Sequence, residues 1–347
     1  SALPLGHSNP KVVKALKCQI EKYMHVMVYG EFAQAPSVEL CKKLVDLLPS
    51  NQEVVYLTNS GTEAIEGALK LAKRVTQKFG LIAAHRSYHG STHGALSLLG
   101  FEKQKKGYRP LLPGVRFLDF NQEKDLNMID ENTAAVLLET IQGGAGFILP
   151  ENNYMKKVKK KCDSVGALLI LDEIQPGFGR TGKMFGFEHF GVAPDILVLG
   201  KALGGGLPIG AFSASKKLMG KLEDRPKLGH ITTFGGNPVI ATAALTTINE
   251  ILSTKLIKQI DQKEKIFREN LKHPLIKKIS GKGLMLAPIF ENPEIPNYLV
   301  SRCIEKGLLL FWLLWEKNAI RISPPLNISE EEIVMGCHII KETLDEI

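Results

Sequence analysis

The chain has 347 residues, of which 44% are hydrophobic and 23% are charged, and its formal net charge is +8. This composition excludes extensive disorder and supplies enough apolar residues for a large core. The five cysteines are widely scattered and form no C-x-x-C pair, so the sequence predicts neither a disulfide framework nor a metal site. No apolar stretch reaches the roughly 18 residues that a membrane helix needs, and the N-terminus lacks a signal-peptide pattern. We therefore expect a cytoplasmic protein without a membrane partner.

The positive charge is compatible with an anionic cofactor or substrate, and equally with solubility alone. Its densest run, Lys156 to Lys161, favours a solvated helix face, because no interleaved aromatic residues or nucleic-acid motif accompany it. No nucleic-acid partner is expected.

Short apolar, β-branched runs recur along the first two thirds of the chain, and helix-like segments or long loops separate most of them. The predicted strands are Val54–Leu57, Leu81–Ala84, Val115–Leu118, Ala134–Leu138, Ala167–Leu171, Ile196–Leu199 and Ile209–Ser213. Such a pattern predicts an α/β fold with a mostly parallel seven-stranded sheet that is covered on both faces. Ligands of these sheets bind beyond the carboxyl ends of the strands, so the polar residues that follow each run are the site candidates.

The texture changes near Glu250. We predict an amphipathic helix over Ile251–Asn270, then a hairpin, paired short strands near residues 308–315 and 319–323, and a last helix with a capping box of Ser329 and Glu332. The sequence thus predicts a large domain over residues 30–250, and a smaller α+β domain built from residues 1–29 and 251–347.

Three candidate sites follow predicted strands. Ser60, Gly61 and Thr62 open a helix whose free N–H groups could bind a phosphate, although ordinary helix capping explains them as well. Asp172 ends a very apolar strand, where a carboxylate needs a cationic partner such as a protonated pyridine nitrogen or a local Arg or Lys. Lys201 precedes a glycine-rich stretch, where a confined lysine becomes a Schiff-base nucleophile, whereas a surface lysine is the simpler alternative.

Several motifs favour functional roles over ordinary structural ones for these residues. They are Asn59-Ser-Gly-Thr-Glu-Ala, Tyr88-His-Gly, Leu171-Asp-Glu-Ile-Gln followed by Gly179-Arg-Thr-Gly, Gly200-Lys-Ala-Leu-Gly-Gly-Gly, Thr232-Thr-Phe-Gly-Gly-Asn-Pro and Arg321-Ile-Ser-Pro-Pro-Leu. In order and approximate spacing the chain resembles the class III aminotransferases over nearly its whole length. The resemblance implies a fold-type I pyridoxal-phosphate-dependent transferase that moves an amino group from an amino acid to a 2-oxo acid.

The resemblance also implies roles for single residues. Lys201 would carry pyridoxal 5'-phosphate as a Schiff base and shuttle a proton, while Asp172 would hold the pyridinium proton. The other cofactor-binding residues would be Ser60, Gly61 and Thr62 at the phosphate, Tyr88 stacked on the ring, His89 and Glu139 beside it, and Gln175 near the phenolic oxygen. Arg321 would bind the substrate carboxylate. Thr233 would reach the phosphate of the neighbouring subunit, which implies a homodimer with shared active sites.

Two positions depart from the family pattern. Gly144 stands where many members have a second glutamate, and Ser91 stands where ornithine and acetylornithine enzymes usually have an arginine. The opening Leu5-Gly-His-Ser-Asn-Pro matches a family motif that a leader segment normally precedes, so we expect such a segment to be lacking. The donor, expected among acetylornithine, ornithine and 4-aminobutyrate, is therefore weakly constrained.

Other functions compete with this interpretation. A G-x-G-x-x-G pattern at Gly177, Gly179 and Gly182 suggests a dinucleotide site, but Pro176 separates it from its strand and no helical periodicity follows. The same cofactor scaffold also supports racemases, aminomutases and decarboxylases. A truncated relative that binds cofactor or partner proteins without turnover is a non-enzymatic alternative.

Overall fold

A seven-stranded sheet forms the centre of the part of the chain that the computed structural model describes, namely residues 1–27, 32–223, 226–227 and 229–347. Its strands are β1 (Val54–Thr58), β2 (Gly80–Ala84), β3 (Val115–Leu118), β4 (Thr133–Glu139), β5 (Leu168–Asp172), β6 (Ile196–Gly200) and β7 (Gly210–Ala214). They are arranged in the order β1-β7-β6-β5-β4-β2-β3. Only β7 runs antiparallel to its neighbours, so the predicted mostly parallel sheet is confirmed.

Helices cover the sheet and build the C-terminal part. They are α1 (Pro10–Lys22), α2 (Ala35–Leu47), α3 (Gly61–Thr76), α4 (His93–Ser97), α5 (Glu102–Lys105), α6 (Tyr154–Val165), α7 (Lys216–Met219), α8 (Pro238–Ser253), α9 (Leu256–Asn270), α10 (Glu294–Glu305) and α11 (Glu330–Leu344). The basic run of residues 156–161 lies on α6, as its pattern indicated.

Both faces of the sheet are buried. In β4, Val136 and Leu138 belong to one apolar core, whereas Ala135 and Leu137 belong to a second core under α3. Side chains alternate between the two faces of a strand, so a strand with no polar alternation must be covered on both sides. This burial explains why the strands read as continuous apolar runs.

The C-terminal part combines helices with short antiparallel strands. The hairpin β8 (Lys278–Lys282) and β9 (Met285–Ile289) precedes α10, and the pair β10 (Phe311–Trp312) and β11 (Ile320–Arg321) precedes α11. Ser329 and Glu332 form the predicted capping box at the start of α11.

One predicted helix has the wrong boundary. The expected helix over Ile251–Asn270 is divided between α8, which ends at Ser253, and α9, which begins at Leu256. Thr254 is extended between them, and its hydroxyl donates to the Glu250 carbonyl at 2.9 Å, a local bond that competes with the helix. The predicted domain boundary between residues 29 and 30 lies outside the described residues, and the division into two domains stays a prediction.

Candidate active site

A cavity of about 450 Å³ lies at the carboxyl ends of β4, β5 and β6, beside the first turn of α3. Among its lining residues are the predicted site residues Gly61, Thr62, Tyr88, His89, Glu139, Asp172, Gln175, Lys201 and Arg321. The fold therefore brings together residues from six separate segments of the chain. Ser60 lies immediately next to them as the N-cap of α3.

Lys201 follows the last residue of β6 and begins a short 3-10 helix with a φ of +44°. Its side chain extends into the cavity and so keeps solvent-accessible surface. The protein atoms that line the cavity still remove much of its hydration. This desolvation lowers the pKa of Lys201, with a smaller contribution from Arg321, while Asp172 and Glu139 oppose the shift. A lysine with a lowered pKa has more of the neutral amine that attacks a carbonyl carbon.

Asp172 ends β5 and is buried at the base of the cavity, with 4% of its surface exposed. One carboxylate oxygen accepts the Ile174 N–H at 2.9 Å, and the other lies 2.8 Å from His89 Nδ1. Because the carboxylate accepts, Nδ1 is the donor, which fixes the proton of His89 on that nitrogen. The His89 Nε2 is buried and has no hydrogen-bond partner within the described protein. Asp172 is thus held by two donors and remains available to a third.

Glu139 ends β4, and its carboxyl group accepts the backbone N–H groups of Gly143 at 2.9 Å and Tyr88 at 3.3 Å. Burial raises its pKa from 4.5 to about 7, and the nearby Asp172 adds to this shift. The adjacent buried Glu173 behaves alike, because burial raises its pKa to about 7 while it binds the N–H groups of Gly186 and Phe187 at 2.7 Å.

The first turn of α3 lines the cavity through Gly61 and Thr62. The Ser60 hydroxyl accepts the Glu63 N–H at 3.3 Å, and the Thr62 hydroxyl lies 2.7 Å from that of Thr92. Gly90 packs directly on Thr62, where any Cβ would overlap the threonine hydroxyl. The free N–H groups and positive dipole of this 16-residue helix favour a phosphate here.

Arg321 lines the cavity from β11. Its guanidinium lies 5.0 Å from the centre of the Phe311 ring, and none of the ion pairs among the described residues includes it. Burial lowers its pKa. A planar cation without a carboxylate partner suits bidentate binding of a ligand carboxylate.

Comparison with known proteins gives the family. A model of the family described as aminotransferase class-III matches residues 1–344. The chain belongs to the class III aminotransferases. An acetylornithine aminotransferase from Caldanaerobacter subterraneus subsp. tengcongensis is 39% identical over 99% of this chain and 88% of its own. A putrescine aminotransferase from Pectobacterium atrosepticum is also 39% identical, over 98% of this chain and 75% of its own.

The fold has close counterparts among solved structures of aminotransferases. The ornithine aminotransferase of Toxoplasma gondii superposes with a TM-score of 0.92 at 31% identity, covering 100% of this chain and 84% of that one. A second structure of that enzyme has partial occupancy of pyridoxal phosphate (PLP) at its active site. The α/β fold is therefore that of the PLP-dependent transferases, and the enzyme class predicted from the motifs is confirmed.

The residues of this class III aminotransferase fit PLP, the cofactor of the family. The first turn of α3 offers donors to a phosphate, and the buried Asp172 offers an acceptor to a ring N–H. Lys201 supplies an amine within the same cavity, and Tyr88 and Ile174 are among the side chains that line it. No group of three or more metal-ligating side chains occurs within the described ranges.

Two predicted features lie elsewhere. Thr233 is exposed and does not line the cavity of its own chain. The G-x-G-x-x-G residues form a tight turn instead of opening an α-helix, with Gly179 and Gly182 at φ values of +87° and +92°. The Gly182 N–H donates to the Gly179 carbonyl at 3.1 Å, so the dinucleotide alternative finds no helix start there.

Sequence reasoning missed part of the cavity wall. Ile174 is part of the Leu171-Asp-Glu-Ile-Gln motif but was given no role. It packs so closely on Gly61 that a Cβ added to the glycine would come within 2.7 Å of it. Leu313 and Leu314 line the cavity from the loop after β10. The apolar run of residues 308–315 signalled a strand, but nothing in it indicated which residues face the ligand.

None of the described helices is long and apolar enough to cross a membrane.

Proposed function

We propose that this enzyme transfers the amino group of an ω-amino acid such as acetylornithine, ornithine or 4-aminobutyrate to a 2-oxo acid, with 2-oxoglutarate as the acceptor. The observation that carries the proposal is the meeting of Lys201, Asp172 and an unpaired Arg321 in one cavity. The donor class follows the names of the relatives, which include acetylornithine and ornithine aminotransferases.

Each side chain has a task in this proposal. Lys201 would hold the cofactor through its Nζ and would move a proton at that nitrogen during the transfer. Asp172, kept in position by His89, holds the ring-nitrogen proton, and Arg321 holds the substrate carboxylate. When bound, PLP supplies an electron sink and stores the amino group between the two half-reactions of a ping-pong sequence.

The remaining residues would bind and orient the cofactor. Ser60, Gly61 and Thr62 would hold the phosphate, Tyr88 would stack on the ring, and Gln175 would reach the phenolic oxygen. Glu139 would lie beside the ring, and its carboxylate would hold the Tyr88 segment by accepting the Tyr88 N–H. Buried positions beside the cavity support this assignment for Glu139 and His89.

The proposal includes a homodimer in the cytoplasm. Thr233 would contact the phosphate in the neighbouring subunit, because it lies outside its own cavity. The nearby Ile231 and Phe234 are 46% and 57% exposed, so this segment offers apolar surface that a second subunit would cover.

The test is the visible absorption spectrum of the purified protein after PLP addition, for the wild type and Lys201→Ala. We expect a Lys201-dependent band that bleaches when a productive amino donor is added, and a donor panel with 2-oxoglutarate then ranks the substrates. A band that no donor shifts would support a non-catalytic cofactor-binding protein instead. Absence of the band in the wild type would contradict the proposal.

A further inference from the structure

The side chain that would hold the substrate carboxylate lies on a very short element. Strands β10 and β11 pair through two residues each, and isolated bridges on both sides of β11 join Ile322 to Leu286 and Ala319 to Ile289. These bridges hold the backbone of β11. Strand β10, whose Phe311 ring contacts the Arg321 guanidinium, has only its two-residue pairing and needs another anchor. The loop between the two strands, residues 313–319, supplies contacts of that kind.

The first anchor is a glycine contact. The Gly144 carbonyl accepts the N–H groups of both Trp315 and Glu316, at 2.9 and 3.2 Å. A Cβ at Gly144 would come within 2.9 Å of the Trp315 ring and 3.2 Å of Leu314, so only glycine lets the loop approach this closely. Phe101 stacks on the Trp315 ring at 4.8 Å, with the two planes only 7° apart.

The second anchor is electrostatic. Arg86 Nη2 donates to the Glu316 carboxylate at 2.9 Å and to the Ala145 carbonyl at 3.0 Å. Arg86 comes two residues before Tyr88 and has a φ of +61°, a conformation that non-glycine residues seldom adopt. A partly exposed ion pair adds little stability alone. This pair instead connects the hairpin, the loop after β4 and the segment that leads to Tyr88.

We propose that Arg86, Phe101, Gly144, Trp315 and Glu316 form a clasp that positions Arg321 for a substrate carboxylate. The inference rests on the proposed function, since it concerns how the same cavity recognises a carboxylate. Among the five, only Gly144 lines the cavity, and it has no side chain to offer a ligand, so these are positioning residues and not catalytic ones. The clasp lets the C-terminal hairpin form one wall of the site without a direct bond from Arg321 to protein carboxylates.

The kinetic test compares Glu316→Gln with the wild type, using 2-oxoglutarate as the varied substrate. We expect its KM to rise roughly tenfold, while kcat changes by less than about twofold, because Arg321 loses its placement but Lys201 does not. Arg86→Gln should act alike, and the double variant should resemble either single variant, because each one already breaks the same ion pair. The charge exchange Arg86→Glu with Glu316→Arg should recover part of the loss.

The matched control is Asp130→Asn. Asp130 pairs with Arg116 at 2.8 Å, has a similar partial exposure, and neither residue lines the cavity. Loss of this pair should leave the KM for 2-oxoglutarate unchanged. Additive effects of Arg86→Gln and Glu316→Gln, or an equal rise of KM in Asp130→Asn, would overturn the clasp.

A spectroscopic measurement separates this inference from the proposed function. The chain has two tryptophans, and Trp312→Phe leaves Trp315 as the sole reporter. In this background, the emission of the PLP-loaded protein should change when 2-oxoglutarate binds, and Glu316→Gln should shift that titration to roughly tenfold higher ligand concentration. Binding without amino transfer would keep the clasp and reject the proposed function. Transfer that Glu316→Gln leaves unaltered would keep the function and reject the clasp.

Discussion

Two adjacent strand ends hold carboxyl groups that burial keeps partly protonated near neutral pH. Glu139 ends β4, and Glu173 follows β5, and the pKa of each rises from 4.5 to about 7 because of burial. Glu139 faces the cavity, whereas Glu173 is completely buried and binds two backbone N–H groups. The two groups therefore contribute to the pH dependence of stability, and only Glu139 is close enough to affect the reaction.

The sign of this dependence follows from the unfolded state. Between pH 4.5 and about 7 an unfolded chain loses these protons while the folded protein keeps them, so the free energy of unfolding falls as pH rises. For Glu173 the total fall is about 3 kcal/mol and is complete above its folded pKa. We expect Glu173→Gln to remove this fall in the free energy of unfolding with pH, whatever its effect on absolute stability. Urea denaturation at a series of pH values measures it. An unchanged slope would show that Glu173 is ionised in the folded protein.

Sequence alone indicated Asp172 and Lys201 because each follows a continuous apolar strand, where a charged side chain demands an explanation. It did not indicate Arg86 or Glu316, which are separated by 230 positions and meet only after folding. Trp315 was also missed, because its role depends on the missing side chain of Gly144 and not on any local pattern. Contacts between distant, individually ordinary residues leave no trace in a single sequence.

Helix α3 connects the cofactor site to the sheet. Its N-terminus faces the cavity, and Gly67 in its middle turn packs on the ring of Phe212 from β7 so tightly that a Cβ would overlap the ring. Glycine in a helix interior usually costs about 1 kcal/mol relative to alanine. In α3 close packing reverses that preference, because the helix can approach the sheet only without a side chain at this position.

We therefore expect Gly67→Ala to lower the free energy of unfolding by roughly 1–3 kcal/mol and to weaken PLP binding, since α3 must shift away from the sheet. Urea denaturation and PLP titration measure the two effects. Gly107→Ala is the control, because nothing lies within 4 Å of its Cβ position, and it should change stability by less than about 0.5 kcal/mol. Equal stability of the two variants would contradict the tight contact with Phe212.

The types of the secondary-structure elements were more predictable than their boundaries or the order of the strands in the sheet. The seven strands agree with the sequence within one or two residues, because buried parallel strands have an unbroken apolar character. The order of the strands and the antiparallel direction of β7 depend on long-range pairing, which composition does not encode. The break at Thr254 was missed because a side-chain bond to the helix backbone ends α8 without glycine or proline.

At the scale of the whole molecule, the proposed dimer predicts that each active site uses residues of both subunits. Each site would use its own Lys201 and the neighbour's Thr233. Coexpression of Lys201→Ala with Thr233→Glu should then restore roughly a quarter of wild-type activity, because random pairing makes half of the dimers hybrid and each hybrid has one complete site. The specific activity of the purified mixture measures this.

The control pairs Lys201→Ala with Asp172→Asn. Both residues line the same cavity of one chain, so every site in the hybrid lacks one of them and no activity should return. Recovery in this control, or its absence in the Thr233→Glu mixture, would contradict sharing of sites between subunits.

The order of segments along the chain also determines when each part of the site emerges during synthesis on the ribosome. All seven strands of the sheet, and the cofactor-binding residues that the chain gives to its own site, have been synthesised once β7 has emerged, whereas Arg321 follows roughly a hundred residues later. At typical rates of about 5–20 residues per second, this interval lasts on the order of 5–20 seconds. We expect the nascent chain to present the PLP-binding residues of its own subunit before Arg321 exists, and the neighbour's Thr233 to join the site only when the proposed dimer forms.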